Sequence, residues 1–350
     1  MVVDATPTVW VATIAAVVAL LTVDFVTAAR RPHVVGTREA TFWSVFYVGI
    51  ALLFGLGVWV VVSPQAGTEY LAGWLVEKSL SVDNLFVFLI IMSAFSVPRE
   101  YQQKVLLFGI AVALVMRGIF IAIGAAAISL FSWMFVIFGV FLIYTAVQLA
   151  RHRNDDPEVG DNPVLRFARR RLPATDDFHG GRLTAVEDGK RVVTPLFLVF
   201  LAIGSTDLLF ALDSIPAIFG ITQDPYLVFT ANAFALLGLR ALYFLLAGLL
   251  ERLVFLAVGL SIILAFIGVK LILLFLHEDV NPAFPEVPTE VSLGVIITVL
   301  TVTTVASLVY SKRHPEAKAH AGQVLGGGHG DGGDAGRGAP TGTSAGSSRD

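Results

Sequence analysis

The stretch Glu77-Lys78-Ser79-Leu80-Ser81-Val82-Asp83-Asn84 stands inside an apolar run from Leu71 to Phe95. A second run, Pro195 to Gly220, carries Asp207-Leu208-Leu209-Phe210-Ala211-Leu212-Asp213-Ser214. Each holds two carboxylates six residues apart, with a small amide or hydroxyl residue directly after the second. A carboxylate at the middle of a bilayer costs roughly 2.5–3.5 kcal/mol on insertion scales, so four cost about 10–14 kcal/mol. That sum rivals the stability of an ordinary domain. Salt partners, water or a bound cation must offset it.

The surroundings of these motifs set the fold class. Of 350 residues, 56% are hydrophobic and only 15% charged, where a soluble chain carries nearer a quarter charged residues. The apolar residues form long runs rather than alternating, which predicts an all-α, polytopic transmembrane bundle. There is no cysteine, which excludes disulfides, thiolate catalysis and thiolate metal sites. The N-terminus lacks a basic region and a cleavage signature, so the first apolar run is read as a retained span.

Nine spans are expected, at residues 10–29, 42–62, 71–95, 104–128, 132–150, 195–220, 227–249, 253–276 and 290–311. Each is long enough for a hydrocarbon core of about 30 Å. The basic connections alternate. Arg30, Arg31 and Arg38, then Arg99, then nine Lys and Arg in 151–194, then Arg252, and finally Lys312 and Arg313 all fall on one side. The positive-inside rule therefore places the N-terminus outside and the C-terminus in the cytoplasm.

The chain also repeats internally. Asp83-Asn84 aligns with Asp213-Ser214, Arg117 with Arg240, and Phe138-Gly139-Val140 with Ile267-Gly268-Val269. Units 71–150 and 195–276 hold three spans each, so the second enters the membrane from the opposite face. Inverted repeats with charged helices at their interface are a transporter architecture; a duplicated bundle without transport is the alternative. Residues 1–311 form the membrane domain. Its segment 151–194 is a charged cytoplasmic linker able to recruit cytoplasmic proteins, and its Arg166–Arg171 run acts as a topology anchor or touches anionic lipid. Residues 312–350 form a disordered, glycine-rich cytoplasmic tail.

Six residues along a helix rise about 9 Å and turn to faces about 120° apart. Glu77 and Asp83 therefore cannot face one small ion from an unbroken helix, nor can Asp207 and Asp213. Local unwinding is expected, helped by Pro216 near Leu212 and by Gly204-Ser205-Thr206. Lys78, Arg117, Arg240 and Lys270 lie within spans as buried basic partners, and simple ion pairing with the four acids is the competing reading. Asn84, Ser214 and Asn232 add neutral oxygens, Asn232 alone fitting an interhelical hydrogen bond as well. All seven histidines lie outside the spans. A site built here is oxygen-only and suits manganese, magnesium or calcium rather than zinc or copper.

At these motifs the sequence resembles the TerC family of bacterial integral membrane proteins, within the lysine-exporter superfamily. The resemblance runs from Thr41 to Tyr310. It is carried by Glu77 through Asn84, Met116-Arg117, Asp207 through Ala217, Asn232 through Arg240 and Gly268-Val269-Lys270. It implies a bacterial inner-membrane protein associated with tellurium resistance and, in its better understood members, with manganese export. It also implies that Glu77, Asp83, Asp207 and Asp213 coordinate the ion. One departure is Gly204, where the family commonly has Glu. The expected function is a secondary exporter of a divalent metal cation, Mn2+ foremost, as cargo. No permanent cofactor, no enzymatic activity and no nucleic-acid partner are expected; the partners are the lipid bilayer and the metal ion. The alternatives are a membrane anchor for a tellurite or metal-stress resistance complex and an intramembrane aspartyl protease, the latter lacking any Gly-x-Gly-Asp stretch.

Overall fold

A computed structural model of the chain describes residues 5–30, 36–151, 163–175, 177–187, 189–246 and 253–313. The tail expected at 312–350 lies outside the described residues from 314 onward.

The described chain is a helical bundle. Its helices are α1 (Pro7–Arg30), α2 (Thr37–Val61), α3 (Pro64–Ala94), α4 (Arg99–Leu130), α5 (Met134–Arg151), α6 (Pro163–Arg171), α7 (Pro195–Phe219), α8 (Pro225–Leu236), α9 (Leu239–Leu246), α10 (Leu256–Phe275) and α11 (Thr289–Arg313). Between α6 and α7 runs an antiparallel hairpin of β1 (Thr184–Glu187) and β2 (Lys190–Val193). Helices α1, α2, α4, α5, α7, α10 and α11 are long and apolar enough to cross a bilayer, and the bent pair α8–α9 makes an eighth candidate. Helix α3 is 31 residues long, but every 18-residue stretch of it holds at least three of Glu69, Glu77, Lys78 and Asp83, too many charges for an apolar span. Of the nine expected spans, eight thus qualify on hydropathy at most.

Outward-facing side chains are apolar: Leu53, Val60, Val115, Ile123 and Val140 are all exposed. A surface of this kind suits lipid rather than water. Polar groups go inward. The bundle closes around α3, which packs on α2, α7, α8 and α11. Its start is set by Pro64 at the first turn and by Ser63, whose hydroxyl accepts from the Ala66 amide. This start, seven residues earlier than the expected 71, brings Glu69 into the helix.

The repeat-aligned glycines meet. A Cβ on Gly139 of α5 would lie 2.7 Å from the Gly268 carbonyl oxygen of α10, and one on Gly268 would lie 2.7 Å from the Gly139 oxygen. Their neighbours are reciprocal as well, with Ile272 against Gly139 and Ile143 against Gly268. The contact is mutual, each glycine facing the other's carbonyl oxygen.

Three expectations need correction. First, the acidic helices do not unwind: α3 and α7 are continuous through both motifs, and Pro216 lies inside α7 without ending it. Second, the break falls between α8 and α9, which bend by 41°. Gly238 takes φ +78° there, with its α-carbon so close to Tyr47 that a Cβ would lie 2.7 Å from the Tyr47 Cβ. Only glycine accepts both conditions. Third, the linker is not simply a charged connection. Within 151–194, α6 packs on α7 through buried Ala168 against Val193 and Leu198. The hairpin is clamped by Glu187, which accepts from Thr175 at 2.8 Å and pairs with His179 at 2.9 Å.

Candidate functional site

Three charged residues from different helices meet deep in the bundle. Asp207 stands at the midpoint of α7, Glu77 near the middle of α3 and Arg117 near the middle of α4. Each is therefore roughly 18–27 Å of helix from its nearer or farther end. The Glu77 side chain is fully buried, and Arg117 is 1% exposed. Arg117 forms an ion pair with Glu77 through Nη1 and Oε1. Its Nη2 lies 3.9 Å from Asp207 Oδ1, an electrostatic contact rather than a hydrogen bond. The same Nη1 donates to Asn232 Oδ1 of α8 at 2.9 Å. Ser81, one turn along α3, donates to Glu77 Oε1 at 3.1 Å.

The hydrogen bonding of this locus is incomplete. Glu77 Oε2, Asp207 Oδ2, Asn232 Nδ2 and Arg117 Nε and Nη2 are buried without a hydrogen-bond partner. Leaving a buried polar atom unsatisfied costs about 1–3 kcal/mol, more when it is charged. Such orphans clustered in one place mark a position for something polar or charged to bind.

Arg240, which aligns with Arg117, gives the contrast. Its Nε and Nη2 donate to Asp24 at 3.1 and 2.6 Å, and its Nη1 donates to Gln103 at 3.2 Å. That guanidinium is fully engaged. Each arginine reaches the second helix of the other unit: Arg117 of α4 touches α8, and Arg240 of α9 touches α4.

The lysines contact neither Glu77 nor Asp207. Lys78 Nζ donates to the carbonyls of Ala235 and Leu237 at 3.0 and 3.4 Å, satisfying oxygens freed by the α8–α9 break. Lys270 donates to Ser292 at 3.1 Å. It lines a cavity of about 290 Å³ with Glu69, Thr222, Asp224, Glu278 and Glu286, at the end of the bundle away from the hairpin. Of the four expected basic partners, only Arg117 contacts Glu77 or Asp207 among the described residues.

Of the expected ligands, Glu77 and Asp207 come together around Arg117 with Asn232; Ser214 is buried seven residues farther along α7. Asn84 is buried on α3. Asp83 and Asp213 lie on helical backbone, but their side chains lie outside the described residues. Among the described residues no three His, Cys, Asp or Glu side chains gather as a metal cage. Three buried acids among the described residues fall outside the expected set: Asp24, Glu69 and Asp224, the last capping the start of α8. Asp24 was visible as a lone charge inside the first apolar run. Glu69 precedes the expected span start at 71 but lies inside α3, which begins at Pro64.

The description "Integral membrane protein TerC family" matches residues 62–315. An uncharacterized membrane protein of Myxococcus xanthus is 44% identical over 318 residues, spanning 91% of this chain and 97% of its own. Another, from Mycobacterium tuberculosis strain H37Rv, is 50% identical over 311 residues, spanning 85% of this chain and 78% of its own. Alx of Escherichia coli K12, named as a candidate membrane-bound redox modulator, is 39% identical over 323 residues, spanning 89% of this chain and 98% of its own. No solved structure matches the chain. With its acidic motifs, its buried Arg117 and the helices from α3 to α11 inside the matched segment, the chain belongs to the TerC family of integral membrane proteins.

Proposed function

We propose that the protein is a secondary transporter that exports a divalent metal cation, manganese foremost, from the cytoplasm. One observation carries this reading: Glu77 of the first three-helix unit and Asp207 of the second share a single guanidinium at mid-depth, and each keeps an oxygen without a partner. Structural ion pairing alone would give each acid its own base and close the hydrogen bonds, as Asp24 and Gln103 do around Arg240. Two acids on one guanidinium leave negative charge uncompensated, and a second cation is the natural complement. The donors are all oxygen, which favours manganese, magnesium or calcium.

In this reading Asp83 and Asp213 complete the acidic set, with Asn84, Ser214 and Asn232 as neutral ligands. The ion enters from the cytoplasmic side of an inner-membrane protein whose N-terminus is outside. It leaves outward as one unit rocks against the other. The test uses inside-out vesicles holding a manganese-sensitive dye in the lumen. Wild-type protein should fill them with manganese faster than Glu77→Gln/Asp207→Asn or Asp83→Asn/Asp213→Asn. Equal rates for all three proteins refute export.

A membrane anchor for a metal-stress complex is the second reading, favoured by the folded α6–hairpin unit in the linker. It requires metal tolerance in cells to survive the acid substitutions and to vanish when 163–193 is deleted. A redox role like the one in the name of Alx could not run through thiols, because the chain has no cysteine.

A further inference from the structure

We propose that Arg117 is a tethered stand-in for the transported cation: its guanidinium holds the place between Glu77 and Asp207 that the metal takes, and the metal enters as the guanidinium withdraws. The inference rests on the export reading and deepens it.

Three observations carry it. Arg117 touches both acids, and those acids come from the two different units. Its bonding is that of an occupant rather than a permanent strut. A structural arginine buried against a carboxylate is normally bidentate and saturated, whereas Arg117 leaves Nε and Nη2 without acceptors while Glu77 Oε2 and Asp207 Oδ2 lack donors. Donors and acceptors thus coexist unpaired around one group, so the arrangement is not the best that these atoms could make. Arg240, aligned with it in the other unit, is saturated by Asp24 and Gln103.

The third observation is a neutral landing point. Asn232 accepts from Arg117 Nη1 at 2.9 Å, so the guanidinium can leave the carboxylates and keep a hydrogen bond. A divalent ion between the acids would repel it toward that side. When the metal departs, two buried carboxylates would otherwise stand uncompensated, at a high desolvation cost. The returning guanidinium removes that cost. Such a device lowers resting affinity and lets the empty carrier change conformation without a proton or metal in the site.

The consequence is a split between binding and turnover. Purified full-length protein is titrated with Mn2+, and free ion is read by electron paramagnetic resonance. Arg117→Gln should bind manganese about tenfold more tightly or better, since a competing cation is gone. Its vesicle transport should fall severalfold in maximal rate while KM also falls. Arg117→Lys, which keeps the charge, should stay within about threefold of wild-type affinity. A folded, monodisperse Arg117→Gln with unchanged or weaker affinity overturns the stand-in role and leaves export intact. No manganese bound by wild type overturns export and this inference together.

Infrared difference spectroscopy on wild-type protein keeps the question decidable if Arg117→Gln does not fold. With isotope-labelled arginine, adding Mn2+ should shift a guanidinium stretching band together with the carboxylate bands. Shifted carboxylate bands beside an unmoved guanidinium band overturn the proposal.

Discussion

Replacing Gly139 with alanine should force α5 away from α10. The new Cβ would meet the Gly268 carbonyl oxygen at 2.7 Å and Ile272 Cγ1 at 2.7 Å. Ordinary contact begins nearer 3.5 Å, so the helices must separate by several tenths of an ångström. Because one obstacle is backbone, a rotamer change cannot relieve it. Overpacking of this sort costs about 1–3 kcal/mol. The better helix propensity of alanine returns about 1 kcal/mol, leaving a net loss of up to about 2 kcal/mol. Gly268→Ala presents the mirror case, with contacts of 2.7 Å to the Gly139 oxygen and 2.9 Å to Ile143 Cγ1. Both changes push the same two backbones apart, so the double variant should lose less than the sum of the singles. Gly49 and Gly57 on α2 are the controls, since a Cβ at either meets nothing within 4 Å. Thermal melts of the detergent-purified chain, followed by tryptophan fluorescence, should show each single variant a few degrees below wild type. Gly49→Ala and Gly57→Ala should match or exceed it. If Gly139→Ala melts with the controls, or the two losses add in full, the reciprocal close packing of α5 on α10 is wrong.

Four other outcomes are expected. Lys78→Met strands the Ala235 and Leu237 carbonyls, costing about 1–3 kcal/mol; hydrogen exchange should accelerate at α9 and not at α5. Asp24→Asn leaves Arg240 buried and underpaired, at about 3–5 kcal/mol, while Asp24→Leu with Arg240→Met should cost much less; a double-mutant cycle on melting temperature measures the difference, and equal losses contradict it. A Cβ at Gly204 meets nothing within 4 Å, and Gly204→Glu adds a carboxylate one turn before Asp207, so manganese affinity should rise; a titration showing a fall refutes this. At the hairpin, hydrogen bonds from Thr175 and His179 hold the Glu187 carboxyl below the ordinary glutamate pKa. A lowered folded-state pKa means that this carboxylate's contribution to stability is present above the unfolded value and lost as pH falls through the folded one. Protection factors over 184–193, corrected for the intrinsic pH dependence of amide exchange, should therefore fall on acidification in wild type and show no such step in Glu187→Gln.

The sequence made the helices and the two acidic motifs legible because lipid imposes long apolar runs and makes every charge inside them conspicuous. It also aligned Gly139 with Gly268, and these touch. The position of the helix break was not legible. Pro216 looked the better breaker, yet α7 runs through it. The break at Gly238 depends on Tyr47 from α2 pressing on the turn and on Lys78 from α3 capping its carbonyls. No local signal encodes those distant partners. The charge pairing was obscure for the same reason. Four acids and four bases within the spans balance in number, but Asp24, Glu69 and Asp224 also belong to the buried set, and Lys78 and Lys270 serve other oxygens.

The two aligned arginines show where a motif ceases to predict its own role. Residue type, burial and repeat position are the same for Arg117 and Arg240, so nothing local separates them. What separates them is the partner set. Arg240 has one carboxylate and one amide oxygen for three donor nitrogens, and every nitrogen is used. Arg117 has two carboxylates and one amide oxygen, more acceptor capacity than Arg240, and yet leaves two nitrogens idle. Selection for stability alone should drive the richer set toward saturation, since each idle buried group is costly. An unsaturated guanidinium amid surplus acceptors persists when the acceptors must serve another cation for part of the time. Saturation, rather than the mere presence of a buried charge, is therefore what distinguishes the structural arginine from the one at the proposed transport site.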